Sequence, residues 1–169
     1  MKIIISPAKK MNIREDELEW ANLPCFLSRA EELKRYIQGL DLDQARKLWQ
    51  CNEKIALLNY GRFKEMDLER RLTPALLSYE GIQYQYMAPG VFEQGQWDYV
   101  QEHLRILSGF YGILKPLDGI VPYRLEMQAK VELPSGIKSL YDYWGSSICR
   151  ELAADETLIV NLASKEYSR

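Results

Sequence analysis

Apolar positions along this chain fall into short runs and helical stripes that alternate. Lys2-Ile3-Ile4-Ile5 is an apolar run closed by Ser6-Pro7, which predicts a buried strand leading into a loop. Phe26, Ala30, Leu33 and Ile37 recur at helical spacing, with Ser28 and Glu31 placed as a capping box and Gly39 as a stop. Leu42, Ala45, Leu48 and Trp49 predict a second helix, and Ile55, Leu58 and Phe63 a third after a break at Cys51-Asn52. Thr73-Pro74 reads as an N-cap followed by Pro at the first helical position. Ile82-Gln83-Tyr84-Gln85-Tyr86 alternates with period two and predicts a strand. Trp97, Val100, Leu104 and Leu107 fit a helix, while Leu104 to Ser108 fits a strand equally well. Helix first and strand second is the expectation. Tyr123 to Met127 reads as extended, Leu140, Trp144, Ile148 and Leu152 as one helix, and Thr157 to Asn161 as a β-branched strand. This alternation predicts a single α/β (mixed α+β) domain over residues 1–169, with a central mixed sheet flanked by helices.

Composition narrows the class. With 47% hydrophobic and 27% charged residues, 169 positions can bury a core, and disorder is excluded. No apolar run approaches the ~20 residues of a membrane span, and the amino end is too briefly apolar for a signal peptide, so a cytoplasmic protein is expected. Lys and Arg number 22 against 24 Asp and Glu, so any nucleic-acid role must rest on a local patch. The acidic run Glu15-Asp16-Glu17-Leu18-Glu19 reads as a solvated loop or helix start. Cys25, Cys51 and Cys149 are odd in number and widely spaced, and with one histidine they form neither a disulfide framework nor a zinc site. They read as small core residues, and no metal or other cofactor is expected. His103 reads as a surface or partly packed residue, and Trp49, Trp97 and Trp144 as core.

Three apolar strands end in small polar turns, at Ser6-Pro7-Ala8-Lys9, Ser108-Gly109-Phe110-Tyr111-Gly112 and Asn161-Leu162-Ala163-Ser164. Were these strands parallel, all three turns would emerge at the edge where open α/β sheets bind ligands. Ser6, Lys9, Ser108, Asn161 and Ser164 would then offer donors to an anionic ligand, although strands also end in such residues simply because turns favour them. In Tyr123-Arg124-Leu125-Glu126-Met127, Arg124 and Glu126 share a face. Either Arg124 forks onto a phosphate or carboxylate beside a Glu126 base, or the two form a structural pair. Asp118, between Pro116 and Gly119, reads as a turn cap. Asp41 to Met66 reads as helix, tight break, helix. It suits either an ordinary core pair or a helix-hairpin-helix gripping phosphates, with Lys47, Lys54, Arg62 and Lys64 as the charge. The break lacks glycine, and Glu53 would repel a phosphate.

These blocks, in this order, together with Pro116-Leu117-Asp118, Glu166-Tyr167, Lys54-Ile55-Ala56, Asn59 and Arg62-Phe63, resemble the YaaA family of bacterial peroxide stress proteins. The resemblance covers the whole sequence. It implies a cytoplasmic protein that binds duplex DNA without sequence specificity and helps lower intracellular iron under hydrogen peroxide, indirectly since no ligand cluster is in view. It also implies an α/β fold with a helix-hairpin-helix-like element. Lys54, Asn59 and Arg62 would then belong to the DNA-binding element. Ser6, Lys9, Ser108, Tyr111, Arg124, Glu126, Asn161 and Ser164 would line a cleft with no settled catalytic assignment. The alternative is an enzyme acting on a nucleotide or nucleobase, with a nucleotide-like ligand in that polar pocket. Departures from the family pattern are Asn52, where Ser is common, and Gln128, where Gly is common. Family members also usually continue for several dozen Lys- and Arg-rich residues, so the resemblance implies a C-terminally shortened form.

Overall fold

A computed structural model describes residues 1–14, 18–154 and 158–168. In chain order it contains β1 (Lys2–Ile5), β2 (Lys10–Met11), α1 (Leu27–Gln38), α2 (Leu42–Trp49), α3 (Glu53–Lys64), β3 (Thr73–Pro74), α4 (Ala75–Ser78) and β4 (Tyr79–Glu80). There follow α5 (Ile82–Met87), α6 (Gln94–His103), β5 (Leu104–Ser108), β6 (Gly112–Leu114), β7 (Gly119–Ile120), α7 (Leu140–Trp144), α8 (Ser147–Ala153) and β8 (Ile159–Asn161). The principal sheet has the order β6-β5-β1-β8. β5, β1 and β8 run parallel, with Ile3 opposite both Leu104 and Val160, and β6 returns antiparallel on β5. The mixed α/β class expected from the residue pattern is the class observed.

Strand periodicity divides the core between the two faces of the sheet. Ile5, Leu104, Ile106 and Leu114 join the larger apolar cluster, which also holds Ala30, Leu33 and Ile37 of α1. Ile4, Leu107 and Ile113 point the other way, onto Leu152 of α8. A chain of rings runs through the larger cluster. Trp49 stacks on Phe63 at 5.7 Å, Phe63 meets Phe110 edge-on at 5.6 Å, and Phe110 stacks on Tyr123 at 5.1 Å. These contacts tie the α2–α3 pair to the turn after β5 and then to the segment that follows β7. Trp49, Trp97 and Trp144 are all buried, as expected.

Caps set the helix starts of that pair. Asp41 accepts from Gln44 N while the Gln44 side chain accepts from Asp41 N, a complete capping box for α2. Asn52 Oδ1 accepts from Ile55 N at 2.9 Å and caps α3.

Several expectations are corrected. Ile82 to Tyr86 forms helix α5 rather than a strand. Among the described residues no strand lies alongside to complete a ladder, and Tyr84 packs inward while Tyr86 remains 89% exposed. The α1 capping box at Ser28 and Glu31 is absent, because the helix already starts at Leu27 and Glu31 pairs with Lys34 and Arg35. A short helix does open after Thr73-Pro74. Its N-cap is Pro74, however, and Thr73 pairs with Ile120 across β3 and β7 and accepts from Arg14 N. The helix expected from Leu140 to Leu152 is broken at Gly145, with φ +50°, into α7 and α8. Tyr123 to Met127 joins no ladder. Cys25 and Cys149 are exposed and Cys51 half-buried, so the thiols are not core residues. Glu15, Asp16, Glu17 and Thr157 lie outside the described residues.

Gly112 has φ +77°, and a Cβ there would lie 2.8 Å from Trp144 Cζ3 and 3.1 Å from Phe26 Cδ2. Backbone strain and ring overlap should therefore combine in Gly112→Ala, which is expected to lose ~2–4 kcal/mol in urea unfolding. Asp118 caps its turn as expected, accepting from Lys115 N at 2.8 Å. Burial, partly offset by that hydrogen bond, raises its carboxyl to about 6. The folded chain thus binds this proton at a pH where the unfolded chain has released it. Its contribution to stability should fall as pH rises through the window from about 4 to about 6. Asp118→Asn should flatten that slope in unfolding measured across the window.

Candidate functional site

The parallel arrangement of β1, β5 and β8 brings the three polar strand ends to one edge of the sheet. Ser6, directly after β1, accepts from Ser164 N at 2.8 Å, and its hydroxyl lies 3.3 Å from that of Ser164. Tyr84 donates to the Ser6 carbonyl at 2.9 Å, which fixes the same turn from α5. Asn161 turns its Oδ1 back onto Ala163 N and so shapes the loop after β8. A cleft of about 200 Å³ opens here, lined by Ser6, Lys9, Arg124, Glu126, Ser164 and Glu166 among others.

Glu126 is the electrostatic centre of this cleft. One carboxylate oxygen lies 3.2 Å from Arg124 Nη2, and the other 3.1 Å from Lys9 Nζ. Arg124 and Glu126 are nearly buried, at 11% and 17% side-chain exposure, whereas Lys9 is 66% exposed. The outer ion pair is therefore weak and exchangeable, and the inner one is shielded. Arg124 Nε is buried without a hydrogen-bond partner. A guanidinium carries five donors in a planar fork, and here one of them is buried without a partner.

The segment carrying Arg124 and Glu126 has no ladder to hold it, and two devices do so instead. Gly109 is the first. A Cβ at this position would come within 2.5 Å of Leu125 O and 2.9 Å of Glu126 C, so only glycine lets this backbone lie on the turn after β5. The second is a buried hydroxyl chain. Tyr123 Oη lies 2.6 Å from Ser108 Oγ and 2.7 Å from Tyr79 Oη, while Ser108 Oγ also accepts from Tyr111 N at 2.9 Å. Burial pushes the Tyr123 phenol up to about 12, and burial likewise raises Tyr79 and Tyr111. All three are neutral donors and acceptors, suited to a scaffold.

Not every residue selected from the sequence reaches the cleft surface. Ser6, Lys9, Arg124, Glu126 and Ser164 line it together. Ser108 and Tyr111 are fully buried beneath it and act through Tyr123, and Asn161 lies on an adjoining apolar groove. In the α2–α3 pair, Lys54 is exposed on the first turn of α3. Asn59 is buried, donates to Ile55 O, and accepts from Arg62 Nη1 at 3.4 Å. Arg62 also donates to Met11 O, and burial lowers its pKa. Asn59 and Arg62 thus tie α3 to β2. Sequence reasoning did not select Glu166 or Tyr167 for the cleft. Their adjacency to Asn161 and Ser164 was the available signal. Glu166 accepts from Gln128 N at 3.4 Å, and Tyr141 donates to the Glu166 carbonyl.

A family model described as peroxide stress protein YaaA matches residues 1–169. A UPF0246 protein of Desulfitobacterium hafniense is 57% identical over 169 residues, which is all of this chain and 67% of that protein. UPF0246 proteins of Agathobacter rectalis and Pediococcus pentosaceus are 53% and 48% identical, again across all of this chain and 68% and 67% of theirs. The chain thus spans about two thirds of the length of these relatives. The family model spans every residue and the relatives are about half identical across the whole chain, so the chain belongs to the YaaA peroxide stress protein family.

Proposed function

We propose that this chain binds DNA without sequence specificity and serves the peroxide response in which its family is named, with any lowering of intracellular iron an indirect consequence of that binding. The observation that carries the reading is the exposed α2–α3 junction. Lys54 stands on the first turn of α3, Lys47 on the last turn of α2, and the amino end of α3 faces outward from a three-residue break. Helix amino ends and lysines suit phosphate oxygens and carry no base readout. Glu53, on the first turn of α3 at the same junction, limits the grip to a few phosphates. Lys9 and Arg124 in the cleft could extend the contact along the backbone.

A second reading, an enzyme acting on a nucleotide or nucleobase, is favoured by one specific feature. The cleft holds a shielded Arg124–Glu126 pair whose guanidinium retains an uncommitted buried Nε. A ligand phosphate could compete with Glu126 for the exposed Lys9 ammonium and draw it onto itself. That would leave the carboxylate near the sugar or base as a general base or as a stabiliser of positive charge.

Fluorescence anisotropy with unrelated duplexes over a salt series tests the first reading. Affinity should fall steeply with salt and be indifferent to sequence. Replacing Lys47 and Lys54 together with Ala should reduce the log–log slope by roughly 1–2, at ~0.9 per phosphate contact. Unchanged affinity at low salt in this variant would remove the junction from the interface. For the second reading, turnover of nucleosides, nucleotides or damaged DNA should drop about 100-fold or more in Glu126→Gln. DNA affinity that is intact in that variant would separate the two sites.

A further inference from the structure

On the opposite side of the sheet from the large core lies a groove of about 540 Å³, far larger and more apolar than the cleft. Its floor is Ile4 and Leu107 of the sheet, its far wall Trp144, Ile148 and Leu152 of α7 and α8, and its near rim Ile159 of β8. The apolar cluster beneath it is small, holding only Ile4, Leu107, Ile113 and Leu152 as buried members. Alongside the groove, β8 is the edge of the sheet and is paired with β1 alone among the described residues. This edge is strongly apolar, with Leu158, Ile159 and Leu162 exposed by 57%, 40% and 62%. An uncovered apolar edge strand beside an open apolar groove is an arrangement that folded proteins normally cover.

We propose that this groove and the β8 edge form the seat of the polypeptide third that the longer relatives carry and this chain does not match. Three observations select that occupant. The unmatched part is about a third of each relative, enough for several secondary elements. The groove and the edge adjoin, so a polypeptide could fill the first with side chains and pair the second with backbone, which a small apolar ligand could not do. Tyr167 and Asn161 border both the groove and the turns that shape the cleft, so a segment seated there would also complete one wall of the candidate site. The inference is independent of which reading of the cleft holds.

The test compares this chain with the intact Desulfitobacterium hafniense relative. Hydrogen exchange should be at least 10-fold slower at the amides matching Ile159 to Asn161 in the relative than here. Ile159→Lys, at a position half open to water in this chain, should shift its Tm by less than ~2 °C. A Lys at the matching position of the relative should lower its Tm by more than ~5 °C, since the charge would sit under the seated segment. Equal exchange in the two proteins, with the relative tolerating Lys, would show that its extra third lies elsewhere and overturn the proposal. Slow exchange at β8 in this chain that depends on its own concentration would also overturn it, by making a second copy the occupant.

Discussion

The hydroxyl chain from Ser108 through Tyr123 to Tyr79 holds the organisation of this protein together. The stretch from Val121 to Val131 is largely buried and yet belongs to no helix or strand, so its polar groups lack the partners that regular structure supplies. Tyr123 solves this locally. Its ring stacks on Phe110, its hydroxyl joins two others, and its own amide points at Met11 Sδ. An unmade hydrogen bond at such depth costs ~1–3 kcal/mol, so the network is cooperative in effect: loosening one member leaves the others unsatisfied.

The cleft inherits its geometry from that anchor. Arg124 and Glu126 follow Tyr123 immediately, and the backbone between them lies flat on Gly109. Their ion pair is thereby presented at the carboxyl ends of β1 and β8, opposite Ser6 and Ser164. The elements are graded in rigidity. The inner pair is shielded and its carriers are fixed, whereas Lys9 is exposed and free to leave when an anion arrives. Under the proposed reading, a ligand would exchange one weak internal contact for its own, without rebuilding the scaffold.

The two faces of the sheet are treated unequally. On one, a continuous aromatic chain reaches from Trp49 to Tyr84 by way of Phe63, Phe110, Tyr123 and Tyr79, so the α2–α3 pair is mechanically joined to the cleft. On the other, two short helices broken at Gly145 shelter only part of the apolar surface. The same break keeps Trp144 over the sheet, where its indole donates to the Gly109 carbonyl at 3.0 Å and Arg29 lies 4.5 Å from its ring.

Sequence pattern alone determined the amphipathic helices α1 and α2, the apolar runs of β1 and β5, and the turn at Asp118, because each is set by periodicity or by a capping side chain a few residues away. It also located α3, but that helix buries Ala56, Asn59 and Phe63 and leaves Leu58 of the expected stripe exposed. The chain order of the polar strand ends was legible as well. Tertiary structure decided what pattern could not. It turned Ile82 to Tyr86 into a helix, where strand periodicity had no neighbour to pair with, and it split Leu140 to Leu152 at a glycine. It buried Ser108 and Tyr111 under the cleft that their neighbours line, and turned Asn59 and Arg62 inward to fasten α3. It also gathered Lys9, Arg124 and Glu126 into one ion cluster. Pairing, burial and ion geometry depend on residues 100 or more positions apart, such as Ser6 and Ser164, and no local periodicity encodes such distances.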